Sequence, residues 1–162
     1  MHTLIDLVAE SAARFQDRPA MTVRAGLRDQ VWSHAQLWRA VQAVAGALQE
    51  RGVGKGERVL LIAPNSPHYV ASLLGIMLRG AIAVPLDLGS TPEFIARVAE
   101  DTGAVALIGN AQGELGKLPR YTFDERMSAS APAYAGERPR PGARAGRTPA
   151  DSSPAPETPR CD

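Results

Sequence analysis

The chain has few of the residues that usually form cross-links or strongly charged interfaces. Cysteine occurs once, at Cys161, which excludes an internal disulfide and favours a reducing, cytoplasmic setting. Aromatic residues make up 5% of the sequence, and lysine occurs only at Lys55 and Lys117. With a formal net charge of +1, the chain gives no electrostatic reason to expect a nucleic-acid partner or an acidic membrane surface.

Long hydrophobic runs are also missing. The longest apolar run, from Tyr69 to Val84, contains Arg79 and two glycines. It is shorter than the ~20 apolar residues that a membrane-spanning helix needs. Asp6 and Glu10 interrupt the apolar pattern near the N-terminus, so we expect neither a signal peptide nor a transmembrane segment.

Apolar residues are unevenly distributed along the chain. From Ser128 to Asp162 there is no Leu, Ile, Val, Phe or Met, and seven of the 13 prolines lie in this stretch. Such a composition cannot bury enough apolar surface to form a core. We therefore predict a partial N-terminal α/β domain over residues 1–118 and a disordered, Pro/Ala/Arg-rich tail over residues 119–162.

The first part of the chain predicts a helix, two short strands and a second helix. The first helix begins at Thr3, a candidate N-cap, and the strands cover residues 20–24 and 27–32. Ser33 and Gln36 have the spacing of a capping box, which predicts that the second helix begins there. One face of the first helix is apolar and comprises Leu4, Leu7, Val8 and Ala12.

The middle of the chain alternates between short apolar runs and helical patterns. Continuous apolar runs of this length are typical of parallel strands that are buried on both faces. Strands joined by single helices and short turns predict a parallel sheet with right-handed crossovers. The predicted segments are residues 58–63 (strand), 67–78 (helix), 81–86 (strand), 91–101 (helix) and 104–108 (strand), with a further short strand at 121–123.

The glycine-rich segment 52–56, Gly-Val-Gly-Lys-Gly, superficially resembles a phosphate-binding loop. Such loops follow a strand and open a helix, so that the amides at the helix start face the anion. This segment instead follows a predicted helix and precedes a predicted strand. It is therefore interpreted as a helix-to-strand turn.

Other polar residues near strand ends have a local explanation as well as a functional one. Asn65 and Ser66 lie between a strand and a helix, where open α/β sheets bind ligands, but an Asx turn followed by an N-cap is favoured. Asp87, after Pro85, has the same two interpretations, and the turn is again favoured. His34 and His68 have no Cys, His or carboxylate partner at a metal-ligand spacing.

Several motifs occur in the order and spacing of one enzyme family. They are Gly-Val-x-Lys-Gly-Glu-Arg-Val at residues 52–59, Pro-Asn-Ser at 64–66, Gly-Ala-Ile-Ala-Val-Pro-Leu-Asp at 80–87 and Thr-Pro-Glu at 91–93. Together they resemble the N-terminal part of adenylate-forming (AMP-binding) enzymes, in the style of fatty-acyl or aryl-acid CoA ligases. The resemblance extends over residues 3–108.

This resemblance implies an enzyme that activates a carboxylic acid with ATP and Mg²⁺ and passes the acyl group to a thiol such as coenzyme A. Family members supply a Ser/Thr/Gly-rich loop ending in Pro-Lys-Gly for the phosphates, an acidic residue for magnesium and a late lysine for the carboxylate. None of these motifs occurs in this sequence. The resemblance therefore assigns no catalytic, cofactor-binding or metal-binding residue and no cofactor to the chain itself.

Three interpretations remain open. The first is a truncated acyl-CoA synthetase-like fragment related to fatty acid metabolism, inactive alone. The second is a stand-alone α/β binding or interaction module without catalysis, and the third is a subunit completed by a separate polypeptide. The tail is either genuine or a frameshift product. An Asp-Pro-Lys segment of the missing loop, if encoded by the GC-rich codons GAC-CCC-AAG, gives Thr-Pro-Arg when read one base late, and the chain has Thr158-Pro159-Arg160.

Overall fold

The computed structural model describes residues 3–25, 28–109 and 118–121. None of the helices in these ranges is long and apolar enough to span a membrane. The predicted helices agree closely with the observed bounds. In chain order the elements are α1 (Leu4–Phe15), β1 (Pro19–Ala25), β2 (Arg28–Ser33), α2 (His34–Glu50), β3 (Arg58–Ile62), α3 (Pro67–Leu78), β4 (Ile82–Pro85), α4 (Pro92–Thr102), β5 (Ala106–Gly109) and β6 (Arg120–Tyr121).

The strands form two sheets. β1 and β2 pair antiparallel, whereas the other strands run parallel in the order β4-β3-β5-β6. The predicted α/β architecture with parallel βαβ units is therefore confirmed. The connection through α3 leads from β3 to β4 on one side, and the connection through α4 leads back past β3 to β5 on the other side. Because both crossovers are right-handed but run in opposite directions, α3 and α4 lie on opposite faces of the sheet.

The side chains of β3 alternate between these two faces. Leu61 packs in a cluster with Ile76 of α3, and Leu60 packs in a cluster with Ile95 of α4. All four side chains are almost completely buried. Both faces of β3 are thus covered, as the continuous apolar run at 58–63 predicts.

Helices α2 and α3 approach each other closely at Gly75. A Cβ atom on this residue would lie 2.6 Å from the Val44 Cβ and 3.0 Å from the Val41 carbonyl oxygen. Neither atom belongs to a flexible side-chain end that could rotate away. The absence of a side chain at Gly75 is therefore what permits the observed spacing of the two helices.

Local hydrogen bonds fix where the helices begin and end. The Ser33 hydroxyl accepts from the Gln36 N–H at 3.2 Å, and the Ser33 N–H donates to Gln36 Oε1 at 2.8 Å, which confirms the predicted capping box. Helix α4 ends at Gly103, which is left-handed with φ 61°. The Arg58 guanidinium at the start of β3 donates to the Gly103 carbonyl at 3.1 Å.

Gly109 lies opposite Ile62 at the carboxyl ends of β5 and β3. It pairs with Ile62 and has a φ of 121°, a conformation that favours glycine. A Cβ atom there would overlap the backbone of Ile62. The two strand ends therefore touch backbone to backbone.

Two predictions about burial are wrong. In α1, Val8 and Ala12 are packed as predicted, but Leu4 and Leu7 are 51% and 57% exposed, and Ile5 faces the core in their place, because the packed side of the helix is rotated from the predicted stripe. Strand β4, predicted to be buried, lies at the edge of the sheet that the described strands form, and Ile82 is 51% exposed there. An apolar sequence run does not reveal on which side of a strand its neighbour lies.

Apart from residues 119–121, the predicted tail at 119–162 lies outside the described residues. Strand β6, at Arg120–Tyr121, pairs with β5 just beyond the predicted domain boundary at residue 118. The other part of the predicted strand at 121–123 is also outside the described residues. The division of the chain into residues 1–118 and 119–162 therefore stays a prediction.

Candidate functional site

A cleft of about 300 Å³ opens at the carboxyl ends of β3 and β4. In open parallel sheets, ligands bind at the carboxyl ends of the strands, because the loops that follow neighbouring strands diverge there. One wall follows β3 and the other follows β4. The lining residues are Ala63, Pro64, Asn65 and Tyr69 on the first wall, and Pro85, Leu86, Asp87 and Leu88 on the second.

The strand register holds the two walls together at the base of the cleft. Leu61 lies opposite Pro85, and the Leu86 N–H donates to the Leu61 carbonyl at 3.0 Å. Beyond this bond the two chains separate, since Pro64 turns the first wall away and Asp87 begins a turn in the second. The cleft is thus a consequence of where the pairing stops.

Asp87 confirms the favoured turn interpretation. Its Oδ1 accepts from the Gly89 N–H at 2.7 Å, and its carbonyl accepts from the Ser90 N–H at 3.1 Å. These bonds stabilise the loop that leads to α4. The Asp87 side chain nevertheless lines the cleft, so a carboxylate oxygen is available at its surface.

Asn65 and Ser66 have different roles. Ser66 caps α3, because its hydroxyl accepts from the Tyr69 N–H at 3.2 Å, and the predicted N-cap is confirmed. Asn65 is exposed in the cleft wall, and its carboxamide makes no hydrogen bond with another described residue. It therefore offers a free donor and a free acceptor to a ligand.

Sequence reasoning missed Tyr69 as a lining residue. Tyr69 lies three positions after the N-cap Ser66, in the first turn of α3. Its ring packs partly against the core cluster that contains Leu61. The position of an aromatic residue in the first helical turn after a strand was the signal that could have placed it at this edge.

The electrostatics of the cleft do not fit the phosphates of ATP. Among the described residues, its lining contains the Asp87 carboxylate and no lysine or arginine. A triphosphate requires cationic side chains or a cradle of backbone amides. We therefore derive no step of phosphate chemistry from this cleft.

The glycine-rich segment 52–56 lies at the opposite end of the strands from the cleft, before the amino ends of β3 and β4. The Gly56 N–H donates to the Gly80 carbonyl at 2.9 Å, and the Arg79 guanidinium donates to the Val53 carbonyl at 3.0 Å. The segment thus joins α2 to the amino end of β3 and packs against the turn before β4. The interpretation as a helix-to-strand turn is confirmed.

The two described histidines pack against aromatic rings. His68 lies edge-on to Trp32, with ring centroids 5.0 Å apart, and burial lowers the pKa of His68 below its ordinary value. His34 lies 5.4 Å from the ring of Phe15. Within the described ranges, no group of three or more His, Cys, Asp and Glu residues could hold a metal ion.

Known proteins resemble the chain in both sequence and structure. The sequence profile of the family described as AMP-binding enzyme matches residues 8–159. The long-chain-fatty-acid–CoA ligase of Escherichia coli O157:H7 is 35% identical over 107 residues, which are 65% of this chain and 18% of that protein. The hybrid PKS-NRPS synthetase thnA of Trichoderma harzianum is 39% identical over 79 residues, which are 49% of this chain and 2% of that protein. The crystal structure of VinN matches with a TM-score of 0.69 at 29% identity, over 85% of this chain and 39% of VinN.

The chain thus spans less than half the length of each of these three proteins. The family match continues to residue 159, well past residue 108, where the resemblance based on the motifs ends. It therefore includes most of the segment that we assign to a tail.

Proposed function

Because this chain belongs to the family of AMP-binding enzymes, we propose that it is the N-terminal part of an ATP-dependent, AMP-forming ligase that joins a carboxylic acid to coenzyme A or another thiol. The observation that carries this proposal is the position of the family motifs in the fold. Residues 64–66 follow β3, residues 80–87 include β4, and residues 91–93 open α4. All three motifs therefore lie on the unit formed by β3, α3, β4 and α4.

We further propose that the 162-residue chain alone does not form acyl-adenylates. ATP, Mg²⁺ and coenzyme A serve the complete enzymes of this family, whose chemistry depends on groups that neutralise charge on the transferred phosphates. The described lining of the cleft between β3 and β4 contains no lysine or arginine, and Lys55 lies against Gly80, before the amino end of β4. In this proposal the chain supplies scaffold rather than reacting groups, and it has no catalytic residue.

Carboxylate-dependent exchange between ATP and radioactive pyrophosphate tests this proposal. The purified chain is assayed with a long-chain fatty acid, an aryl acid and L-aspartate, the last because VinN has been solved in complex with it. We expect exchange at background with every acid. The Escherichia coli ligase with a fatty acid is the positive control, and exchange by the chain above the no-acid rate would contradict the proposal.

A fatty acid is our first choice of substrate for the complete enzyme. The relative from Escherichia coli is described as a long-chain-fatty-acid–CoA ligase, and its match covers 65% of this chain. A ligase assembled from this chain and the remaining sequence would be tested with acids of increasing length. A preference for an amino acid or an aryl acid would contradict this choice.

A stand-alone binding module is the second candidate. It is favoured by the unpaired carboxamide of Asn65 in the cleft and by the buried clusters on both faces of β3. A module of this kind must be a well-folded monomer or part of a stable complex, and it must unfold cooperatively. Calorimetry with sedimentation would decide, because aggregation or a gradual transition would exclude the module.

We also propose a cytoplasmic location. The chain has a single cysteine and so cannot use internal disulfides for stability. Microscopy of a fluorescent fusion in the source cell checks this expectation. Export of the fusion would contradict it.

A further inference from the structure

The cleft between β3 and β4 contains a carboxylate that no other described residue neutralises. Asp87 lines the cleft and is exposed, and it forms no ion pair with another described residue. Its Oδ1 atom accepts from the Gly89 N–H at 2.7 Å, whereas its Oδ2 atom has no hydrogen bond within the described ranges. One carboxylate oxygen is therefore available to a positively charged ligand.

Two more acceptor groups line the wall that follows β3. The Asn65 carboxamide and the Tyr69 hydroxyl make no hydrogen bond with another described residue. A primary ammonium group has three N–H donors and no acceptor, so it can donate to several such oxygens at once. The described lining thus provides acceptors on both walls and one net negative charge.

Apolar groups make up the rest of the described lining. Leu88, which follows β4, is 53% exposed, and Pro64 and Pro85 are also exposed. A short alkyl chain lying along these side chains would remove apolar surface from water, which favours binding. The cleft volume of about 300 Å³ is at the lower end of the ~300–1,000 Å³ range of ligand pockets, so a small ligand fits best.

The chemistry of the described lining disfavours three other kinds of ligand. An anion would meet Asp87 with no lysine or arginine in this lining to offset the repulsion. A divalent cation would find one carboxylate and no His, Cys or second acidic ligand among the described lining residues. A guanidinium group pairs best with both oxygens of a carboxylate, and Asp87 Oδ1 is already bonded to the Gly89 N–H.

We propose that the cleft binds a primary alkylammonium group, with the Asp87 carboxylate paired to the ammonium and with Pro85 and Leu88 against the alkyl chain. A charge-assisted hydrogen bond is stronger than one between neutral groups, so the positive charge sets the affinity. This site does not depend on the proposed function, because no atom of ATP or of the carboxylic acid takes part in it. The ammonium group comes either from a small amine or from a lysine side chain of a partner protein.

Ligand-observed saturation-transfer NMR with n-butylammonium chloride tests the site in the full 162-residue chain. The method detects weak ligands at low protein concentration, so it needs no concentrated sample. We expect saturation transfer to the butyl protons, and a signal at least fivefold smaller with n-butanol, which has the same chain length and no charge. Equal signals for the amine and the alcohol would overturn the inference, as would the absence of a signal for the amine.

Asp87→Asn removes the charge and keeps an oxygen that can accept from the Gly89 N–H, so the turn after β4 is retained. We expect this variant to lower the n-butylammonium signal at least fivefold, and Asn65→Ala to lower it at least twofold. Asp17→Asn is the matched control, since Asp17 is also exposed but follows α1 and is not in the described lining. An unchanged signal with Asp87→Asn, or an equal loss with Asp17→Asn, would overturn the site.

Competition against n-butylammonium distinguishes the two sources of the ammonium group. Nα-acetyl-lysine methylamide carries the same alkylammonium chain on a peptide backbone. Displacement at an equal or lower concentration than free n-butylammonium requires would support a lysine side chain as the ligand, and a higher concentration would support a small amine. Stronger displacement by n-butylguanidinium than by n-butylammonium would overturn the choice of an ammonium group.

These outcomes are separable from those of the exchange assay. Pyrophosphate exchange by the chain alone would refute the proposed inactivity whatever the NMR measurements give. Failure of n-butylammonium to bind would refute only the ammonium site.

Discussion

Replacing Gly75 by alanine tests the close approach of α2 and α3. The added methyl group would lie 2.6 Å from the Val44 Cβ and 3.0 Å from the Val41 carbonyl oxygen, distances at which the helices must separate. Overpacking of a core costs ~1–3 kcal/mol, and these atoms cannot rotate away, so the upper end applies. Alanine is more favourable than glycine in a helix by about 1 kcal/mol, which offsets part of this cost. We therefore expect Gly75→Ala to lower the free energy of unfolding by about 2 kcal/mol.

Gly46→Ala provides the matched control. Gly46 also lies in a helix, but a Cβ atom there would meet nothing within 4 Å. Only the propensity difference remains, so this substitution should raise the free energy of unfolding by ~0.5–1 kcal/mol. Opposite signs for two Gly→Ala changes would isolate the contact from the backbone effect.

Urea unfolding followed by tryptophan fluorescence measures both changes. Equal slopes with different midpoints would show that stability alone has changed. Adding Val44→Ala to Gly75→Ala should not restore stability, because the nearest atom, the Val44 Cβ, remains. If Gly75→Ala were as stable as the native chain, the packing distance between α2 and α3 described here would be wrong.

Two further predictions concern single polar groups. Ser72 is fully buried and its hydroxyl has no hydrogen-bond partner among the described residues, so Ser72→Ala should raise the free energy of unfolding by ~1 kcal/mol. Ser66→Ala should instead lower the free energy of unfolding by ~1 kcal/mol, because α3 loses its N-cap. Urea midpoints measure both changes, and a destabilising Ser72→Ala would show that the Ser72 hydroxyl has a hydrogen-bond partner. Burial lowers the pKa of His68 below 6.5, so the unfolded chain binds more protons, and stability should be greatest above pH 6.5 and fall as the pH falls below it. His68→Gln should weaken this pH dependence of the urea midpoint, and an unchanged profile would exclude His68 as its source.

Local chemistry made much of the fold predictable from sequence. The Ser33–Gln36 box, Ser66 before Pro67 and Gly103 after α4 each act within a few residues, so their patterns locate the helix ends. The parallel arrangement followed from alternating apolar runs and helices. The family resemblance rested on ordered motifs in these same turns and strands.

Other features depend on contacts between distant segments, and the sequence could not supply them. The edge position of β4 depends on the strand order β4-β3-β5-β6, which apolar periodicity does not encode. The rotation of α1 depends on how it meets the cluster around Trp32, so Leu7 was misplaced on the packed face. For the site, the sequence could place Asn65 and Asp87 at the carboxyl ends of two strands. That Tyr69 lines the same cleft could be seen only in the structure.

The backbone contact between Gly109 and Ile62 restricts which residue can stand at position 109. Strand β3 connects to β4 on one side, and the next connection returns to β5 on the other side, so β3 and β5 flank the reversal at which open sheets usually hold a crevice. A Cβ atom at position 109 would overlap the Ile62 backbone, so the two strand ends meet there only because residue 109 has no side chain. This glycine thus sets the spacing of β3 and β5 at their carboxyl ends, on the side of β3 opposite the cleft lined by Asn65 and Asp87.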